Sequence, residues 1–132
     1  MREIEFRGYS LYQKKFVFGD LVHETKETCI RANQTIEVQG SGDAKNSIIT
    51  YVVKPETIGQ YTGLKDKNGT KIFDGDILQQ KEFKMIVEYS NKYASFCIKN
   101  KKWAFLHYFG EAVDSEKCEI IGNIHDNPEL LK

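Results

Sequence analysis

The stretch Gly59–Leu78, GQYTGLKDKNGTKIFDGDIL, decides the fold class of this chain. Asp66-Lys67-Asn68-Gly69 is a strong turn sequence, because Asn and Gly both tolerate a positive backbone φ angle. A second sharp turn is predicted at Asp74-Gly75-Asp76, and it leads into a strand, Ile77–Gln80. Short strands joined by tight turns are typical of an antiparallel β protein.

Period-two alternation of apolar and polar residues continues outward from this stretch, which indicates half-buried strands. Near the N-terminus, Ile4 and Phe6 share one face of such a strand. Gly19-Asp20 is a turn signal between two short strands, and Gly40–Asp43 is predicted to be a hairpin loop. The further predicted strands are Phe16–Phe18, Leu21–Val22, Thr35–Gln39, Ile48–Val53, Met85–Tyr89, Ser95–Lys99 and Cys118–Ile124, the last of them broken by Gly122.

Helix signals are scarce in this sequence. Asn127 can cap a helix and Pro128 suits its first position, so we expect one short helical turn at the C-terminus. The segment Trp103–Phe109 fits either a short helix or a strand. We predict a mainly β fold of many short antiparallel strands, with a small, partly closed, SH3-like barrel in the C-terminal part. Residues 1–132 would form a single domain, divided near Pro55 into lobes 1–55 and 56–132.

Composition excludes several classes of protein. The chain has 132 residues, with 19 Lys and Arg against 19 Asp and Glu, so its formal net charge is zero. Zero net charge argues against a protein that coats nucleic acid by bulk electrostatics. Three cysteines, none in a CxxC pair, indicate reduced thiols rather than a disulfide framework or a zinc site. No apolar run is long enough for a signal peptide or a membrane span, so we expect a cytoplasmic protein.

The sequence contains no complete motif for catalysis, metal binding or phosphate binding. The acidic residues Asp66, Asp74 and Asp76 lack the ligand spacing and the closing Glu of an EF-hand, which favours turn chemistry. The segment Gly40–Ser47 lacks the Lys-Ser/Thr ending of a phosphate loop. None of the three histidines takes part in an HxxxH or HxH pattern. We therefore predict no catalytic residue, no metal and no cofactor, and the sequence favours a non-enzymatic protein.

Charge is unevenly distributed along the second half of the chain. Residues 77–109 hold six lysines against two glutamates, a net charge of +4, together with eight aromatic residues. Residues 110–132 hold two lysines against six acidic residues, a net charge of −4. Opposite charges in adjacent segments are compatible with basic and acidic faces that meet across a subunit interface.

Two interpretations of the basic, aromatic segment compete. Single-stranded nucleic acid could stack its bases on the rings while ammonium groups contact the phosphates. Alternatively the rings face the core and the lysines face water, as in any two-sided strand, and the strand phase favours this second interpretation. The best candidate contact site is the predicted turn that contains Lys99, Lys101, Lys102 and Trp103. The chain has only three arginines, which weakens a sequence-specific reading of DNA.

Three motifs together identify a family. Residues 59–69 read GQYTGLKDKNG, residues 72–77 read IFDGDI, and residues 120–131 read IIGNIHDNPELL. With the opening segments Arg2–Gly8 and Phe16–Leu21, these motifs resemble the YopX-like family of phage and prophage proteins. The resemblance spans nearly the whole chain and is less clear over residues 79–119.

The resemblance implies a protein encoded by a bacteriophage or an integrated prophage, with a β-rich fold that contains a small barrel. It carries over no activity, substrate or catalytic residue. The shared positions are mostly turn-forming residues, which we expect to serve the backbone: Gly63, Asp66, Asn68, Gly69, Gly75, Asp76, Gly122, Asn123, Asn127 and Pro128.

The leading hypothesis from the sequence is a non-enzymatic accessory protein that binds another protein and self-associates. One alternative is nucleic-acid binding through residues 77–109. A second alternative is a small-ligand-binding protein or a hydrolase.

Overall fold

The computed structural model describes residues 2–37, 40, 42, 44–103, 107–110 and 113–131. These residues form short strands and three 3-10 helices, and every pairing between the strands is antiparallel. The strands are β1 (Phe6–Ser10), β2 (Lys15–His23), β3 (Thr28–Glu37), β4 (Ala44–Val52), β5 (Gly59–Lys65), β6 (Lys71–Phe73), β7 (Asp76–Gln80), β8 (Phe83–Ser90), β9 (Ser95–Lys99), β10 (His107–Tyr108) and β11 (Glu119–Asn123). The 3-10 helices are Pro55–Thr57, Ser115–Lys117 and Pro128–Leu131. The mainly β prediction is confirmed.

The chain divides into two compact units. The N-terminal unit is Ile4–Gln60, and the C-terminal unit combines Met1–Glu3 with Tyr61–Lys132. In the N-terminal unit the strands follow the order β4-β3-β2-β1, and the first residues of β5 pair with β1. Its small core contains Val17, Ile30 and Val53, and Phe6, Leu21, Tyr51 and Ile58 pack against it.

Strand β2 changes its partner in the middle. Its first half, up to Gly19, pairs with β1, and its second half, from Asp20, pairs with β3. A Cβ atom at Gly19 would collide with the carbonyl oxygen of Arg31, so only glycine lets β3 approach at this point. The prediction of a turn at Gly19-Asp20 is therefore wrong. The glycine marks a change of strand partner within one continuous strand rather than a reversal of the chain.

Strands β3 and β4 form the longest pairing in the protein. The predicted strand Ile48–Val53 corresponds to the second half of β4, which ends at Val52. The predicted strand Thr35–Gln39 coincides with the end of β3, and its last two residues lie outside the described residues. In the predicted loop Gly40–Asp43, Ser41 and Asp43 also lie outside them.

The C-terminal unit contains a five-stranded sheet in the order β10-β9-β8-β7-β11. Its core consists of aliphatic and sulfur side chains, with Trp103, Phe109, Val113 and Ile120 packed against them. The fully buried members of this core are Ile72, Leu78, Met85, Val87, Ile98 and Cys118. The predicted turns at Asp66–Gly69 and Asp74–Asp76 are confirmed, and they flank the short strand β6.

The partly closed, SH3-like barrel is not confirmed. Within the residues that the structure describes, the five-stranded sheet is open, with β10 and β11 as its two edges. Strand β11 shifts register against β7 between Ile120 and Gly122, where the sequence places a break. The last described element is the short 3-10 helix Pro128–Leu131.

Candidate binding surfaces

The aromatic residues of the basic segment lie at the surface of the C-terminal unit. Phe83, Tyr89, Tyr93 and Tyr108 are between 39% and 47% exposed. Phe96, Trp103 and Phe109 are half-buried, and Phe105 lies outside the described residues. The prediction that these rings form the core is therefore wrong for the exposed four. Aliphatic residues on the same strands already occupy the core positions, so little interior volume is left for rings.

The rings at the start of β8 form the first surface, which we call the basic aromatic end. The centroids of the Phe83 and Trp103 rings lie 6.1 Å apart, and those of Trp103 and His107 lie 5.0 Å apart. Trp103 also packs against the core of the unit, which holds this row of rings in place. The basic aromatic end comprises these three rings and four exposed or half-exposed lysine side chains: Lys81, Lys84, Lys101 and Lys102.

Hydrogen bonds place the two tandem lysines beside this ring row. The Asn100 side-chain amide donates to the carbonyl oxygen of Lys84 at 2.7 Å, next to Phe83. The backbone amide of Lys102 donates to Oδ1 of Asn100 at 2.8 Å, and that of Trp103 donates to the carbonyl oxygen of Asn100 at 2.9 Å. A single asparagine therefore links the Lys101-Lys102 turn to the beginning of β8.

Lys99 has a different environment from the other candidate contact residues. It forms an ion pair with Glu88 on the neighbouring strand. Among the described residues, the four lysines of the basic aromatic end form no ion pair, and Glu82 is the one acidic residue within the β7–β8 turn. The structure thus brings together Lys101, Lys102 and Trp103 with Phe83 and His107. Sequence reasoning did not place Phe83 and His107 beside this turn, because they come from other strands.

A second surface, the tyrosine end, surrounds the hairpin between β8 and β9. Tyr89 meets Phe96 edge-to-face with centroids 5.2 Å apart, and Tyr93 meets Tyr108 in the same manner at 5.9 Å. The ammonium group of Lys92 lies 5.3 Å from the centre of the Tyr93 ring. This end is rich in exposed tyrosine and carries little charge.

Asp66 stabilises the turn Asp66–Gly69, which belongs to the motif at residues 59–69. Its Oδ1 accepts hydrogen bonds from the backbone amides of Asn68 and Thr70, both at 2.9 Å. Its Oδ2 accepts one from Ile120 on β11 at 3.1 Å. Burial opposes ionisation of this carboxyl, but the three hydrogen bonds and the charge of Lys67 outweigh it, so the pKa of Asp66 is lowered. These donors are backbone amides, as turn chemistry predicts.

An open depression of about 610 Å³ lies beside this turn. Its lining includes Gly63, Lys65, Asp66 and Glu116, and no histidine. Gly63 has a φ angle of +89° in the irregular part of β5, and a Cβ there would meet nothing within 4 Å. Glycine at this position therefore serves the backbone conformation.

The second turn of the motif connects several strands. Oδ2 of the buried Asp76 accepts a hydrogen bond from the amide of Phe73 at 2.8 Å. Gly75, with a φ angle of +95°, donates its amide to the carbonyl of Val87 and accepts from the amide of Ile124. Asp76 therefore holds the backbone of this turn in place.

The C-terminal motif forms a compact local network. A Cβ atom at Gly122 would lie 2.5 Å from Oδ1 of Asn127, and this oxygen accepts the amide of Asn123 at 3.3 Å. Oδ1 of Asn123 accepts the amides of His125 and Asp126 at 3.0 and 2.9 Å. Pro128 follows as the first residue of the last 3-10 helix. The shared glycine and asparagines thus hold the chain reversal after β11.

The other potentially reactive groups are dispersed. Among the described residues, no group of three or more His, Cys, Asp or Glu side chains is arranged to hold a metal ion. Burial raises the pKa of the Cys29, Cys97 and Cys118 thiols, so they are poor nucleophiles. No helix within the described part of the chain is long and apolar enough to cross a bilayer.

Comparisons with known proteins agree with this fold. The crystal structure of protein EF1440 from Enterococcus faecalis is similar to this chain over the full length of both, with a TM-score of 0.61 and 26% sequence identity. No curated protein matches the chain. The family model described as YopX protein matches residues 5–132. The chain therefore belongs to the YopX protein family.

Proposed function

We propose that this protein is a non-enzymatic binding protein that contacts nucleic acid through the basic aromatic end. The observation that carries the proposal is the exposure of aromatic rings among lysines that form no ion pair within the described residues. Ammonium groups attract phosphates, and exposed rings offer flat apolar surfaces to bases. Of the sequence-based alternatives, nucleic-acid binding thus gains the most support.

The charge of this surface defines the expected strength of binding. Four lysines against Glu82 give the basic aromatic end a local net charge of +3, although the whole chain is neutral. Phosphate contacts release counterions, so affinity falls as salt rises. With at most four lysine contacts, the log–log slope of affinity against salt should be no steeper than about −2.8 for a single strand and about −3.6 for a DNA duplex. Binding should therefore be measurable at low salt and weak at high salt.

Fluorescence anisotropy with labelled DNA and RNA oligonucleotides at low salt tests this proposal. Lys101→Glu combined with Lys102→Glu should weaken binding strongly, because both charges at the surface are reversed. Lys15→Glu combined with Lys26→Glu is the matched control, since it changes the net charge equally at exposed positions of the N-terminal unit. Absence of binding at tens of micromolar protein would refute nucleic-acid binding.

A second candidate function is the protein-interaction role that the sequence favours. The exposed tyrosines of the tyrosine end support it, because tyrosine is enriched where protein interfaces bury their central contacts. In this proposal the partner is another protein or a second copy of the chain. Light scattering over a range of concentration and salt tests self-association, and Tyr93→Ser with Tyr108→Ser should abolish it. A monomer under every condition would exclude self-association.

The family resemblance implies a phage or prophage origin, and this origin defines the cell in which the proposed binding protein would act. A binding protein of this kind would act in the cytoplasm of the bacterial host. Affinity capture from prophage-induced cells, with both protein and nucleic acid recovered and identified, would separate the two candidate functions.

A further inference from the structure

We infer that the basic aromatic end selects single-stranded over double-stranded nucleic acid, with unpaired bases stacking on the ring row of Phe83, Trp103 and His107. This inference deepens the proposed function and rests on it. Each base has a flat π face, so stacking on rings is tolerant of sequence. In a duplex the same faces are already covered by neighbouring base pairs.

The ring row is anchored to the core at its centre and exposed at both ends. Phe83 is 39% exposed and His107 is exposed, while Trp103 between them is half-buried against the core. The tilt between the Phe83 and Trp103 rings is 44°, and the Trp103 and His107 rings are nearly perpendicular. The core already holds the central ring, Trp103, in place. When a base stacks on it, the base loses conformational freedom, but few protein side chains lose theirs.

The charges around the row argue for contacts to phosphates without reading of sequence. Residues 77–109 contain lysine but no arginine. Lysine acts as a point charge, whereas arginine provides the bidentate geometry that reads guanine in a duplex groove. The Lys101-Lys102 turn lies beside the ring row through Asn100, so phosphates that flank a stacked base fall near two cations. The surface therefore suits a single strand of any sequence.

The protein carries its own reporter for this inference, because Trp103 is the one tryptophan in the sequence. A base that stacks on the ring row should quench the Trp103 fluorescence. The probes are a twelve-nucleotide single strand, the matching duplex and a twelve-unit abasic strand that keeps the phosphates but lacks bases. We expect quenching and the tightest binding with the single strand, and little quenching with the other two.

Phe83→Leu is the decisive variant, because leucine keeps an apolar side chain at a partly exposed site and removes the ring. It should weaken single-strand binding by about 5- to 100-fold, the range expected for loss of one base–ring stack. Binding of the abasic strand should be unchanged. Tyr12→Leu is the matched control, since Tyr12 is 85% exposed in a loop of the N-terminal unit. Circular dichroism of each variant confirms that it folds.

The outcomes separate this inference from the proposed function. Equal binding of all three probes without quenching would overturn stacking and leave electrostatic nucleic-acid binding intact. Tighter binding of the duplex would likewise overturn single-strand selection. No binding of any probe would overturn both proposals.

Discussion

Oδ2 of Asp66 accepts a hydrogen bond from the backbone amide of Ile120 at 3.1 Å, although 54 positions separate the two residues. The amide of Lys67 donates to the carbonyl of Cys118 at 2.9 Å. Two hydrogen bonds therefore join the turn Asp66–Gly69 to the chain where β11 begins. One carboxylate thus closes its own turn and connects the first and the third of the three motifs that carry the family resemblance. This relationship explains why an aspartate in a turn is nearly inaccessible to water.

Asp66→Asn should destabilise the protein by about 1–3 kcal/mol at neutral pH. The side-chain oxygen of an asparagine can still accept the hydrogen bonds from the amides of the turn. Its NH2 group then faces the backbone amide of Ile120, and two donors meet without an acceptor. Guanidinium unfolding at pH 7 measures the loss of free energy of unfolding. Asp20→Asn, at an exposed position, removes the same charge and should have little effect.

The contribution of Asp66 should also depend on pH. Its pKa in the folded protein is lowered from an ordinary value of 3.8, so folding favours the ionised form. The stabilisation is complete above about pH 5 and is lost as the pH falls through the folded-state pKa. Unfolding experiments down the acid range should therefore show the gap between the wild-type protein and Asp66→Asn becoming smaller. A gap that stays constant with pH would contradict this assignment.

Gly122→Ala should destabilise the protein by about 1–3 kcal/mol, the usual range for an overpacked site. The added Cβ would lie 2.5 Å from Oδ1 of Asn127, which must move away from the amide that it accepts. Asn127→Ala removes this oxygen, so the double variant should lose less stability than the sum of the single variants. Gly63→Ala, where a Cβ meets nothing within 4 Å, should be additive with Asn127→Ala.

Gly19→Ala should cost more than Gly122→Ala, about 3 kcal/mol or above. The obstructing atom is the backbone carbonyl oxygen of Arg31, which cannot rotate away as a side chain can. Hydrogen exchange should show selective loss of protection in the pairing of β2 with β3. A variant of wild-type stability would mean that β2 does not change partner at this residue.

Ala94→Gly should stabilise the protein by about 0.5–1 kcal/mol. Ala94 has a φ angle of +49°. This left-handed backbone conformation costs a residue with a Cβ roughly 1–2 kcal/mol. Glycine avoids that strain, and the conformational entropy that it loses on folding costs less than the strain does. Thermal and chemical denaturation measure the gain. Ala32→Gly, at a buried position of β3, is the control and should destabilise.

The three thiols should react slowly with a thiol reagent in the folded protein. Each is at most 2% exposed, and burial raises each pKa. Titration with a chromogenic disulfide should report three reactive thiols only after unfolding. Rapid reaction of one cysteine under native conditions would show that its burial is transient.

Two hairpin loops of this protein are built in the same way. One joins β8 to β9 and ends at Ala94, and the other joins β1 to β2 and ends at Lys14. The hydroxyl of Ser90 accepts the amide of Tyr93 at 3.3 Å, and the hydroxyl of Ser10 accepts the amide of Gln13 at 3.2 Å. Both loops end in a residue with positive φ, Ala94 and Lys14. Neither end carries the glycine that predicts such a turn, because the paired strands impose the conformation.

The sequence by itself determined the local reversals of this protein. Asp66–Gly69, Asp74–Asp76 and the break at Gly122 are turns or irregularities in the structure, as their residue types predict. Glycine, asparagine and aspartate act through their own backbone preferences and short side chains, so their effect is largely local. The same residues carry the family resemblance that the comparisons confirm.

The tertiary structure alone decided which strands pair and which side chains are buried. Gly19 looks like a turn in the sequence, but the approach of Arg31 from β3 makes it the point where β2 changes partner. Phe83 and Tyr89 share a strand with the buried Met85 and Val87, so alternation alone cannot tell which of them enters the core. That choice depends on the volume left by Leu78 and Ile98 on neighbouring strands, and it leaves the rings at the surface where a partner can reach them.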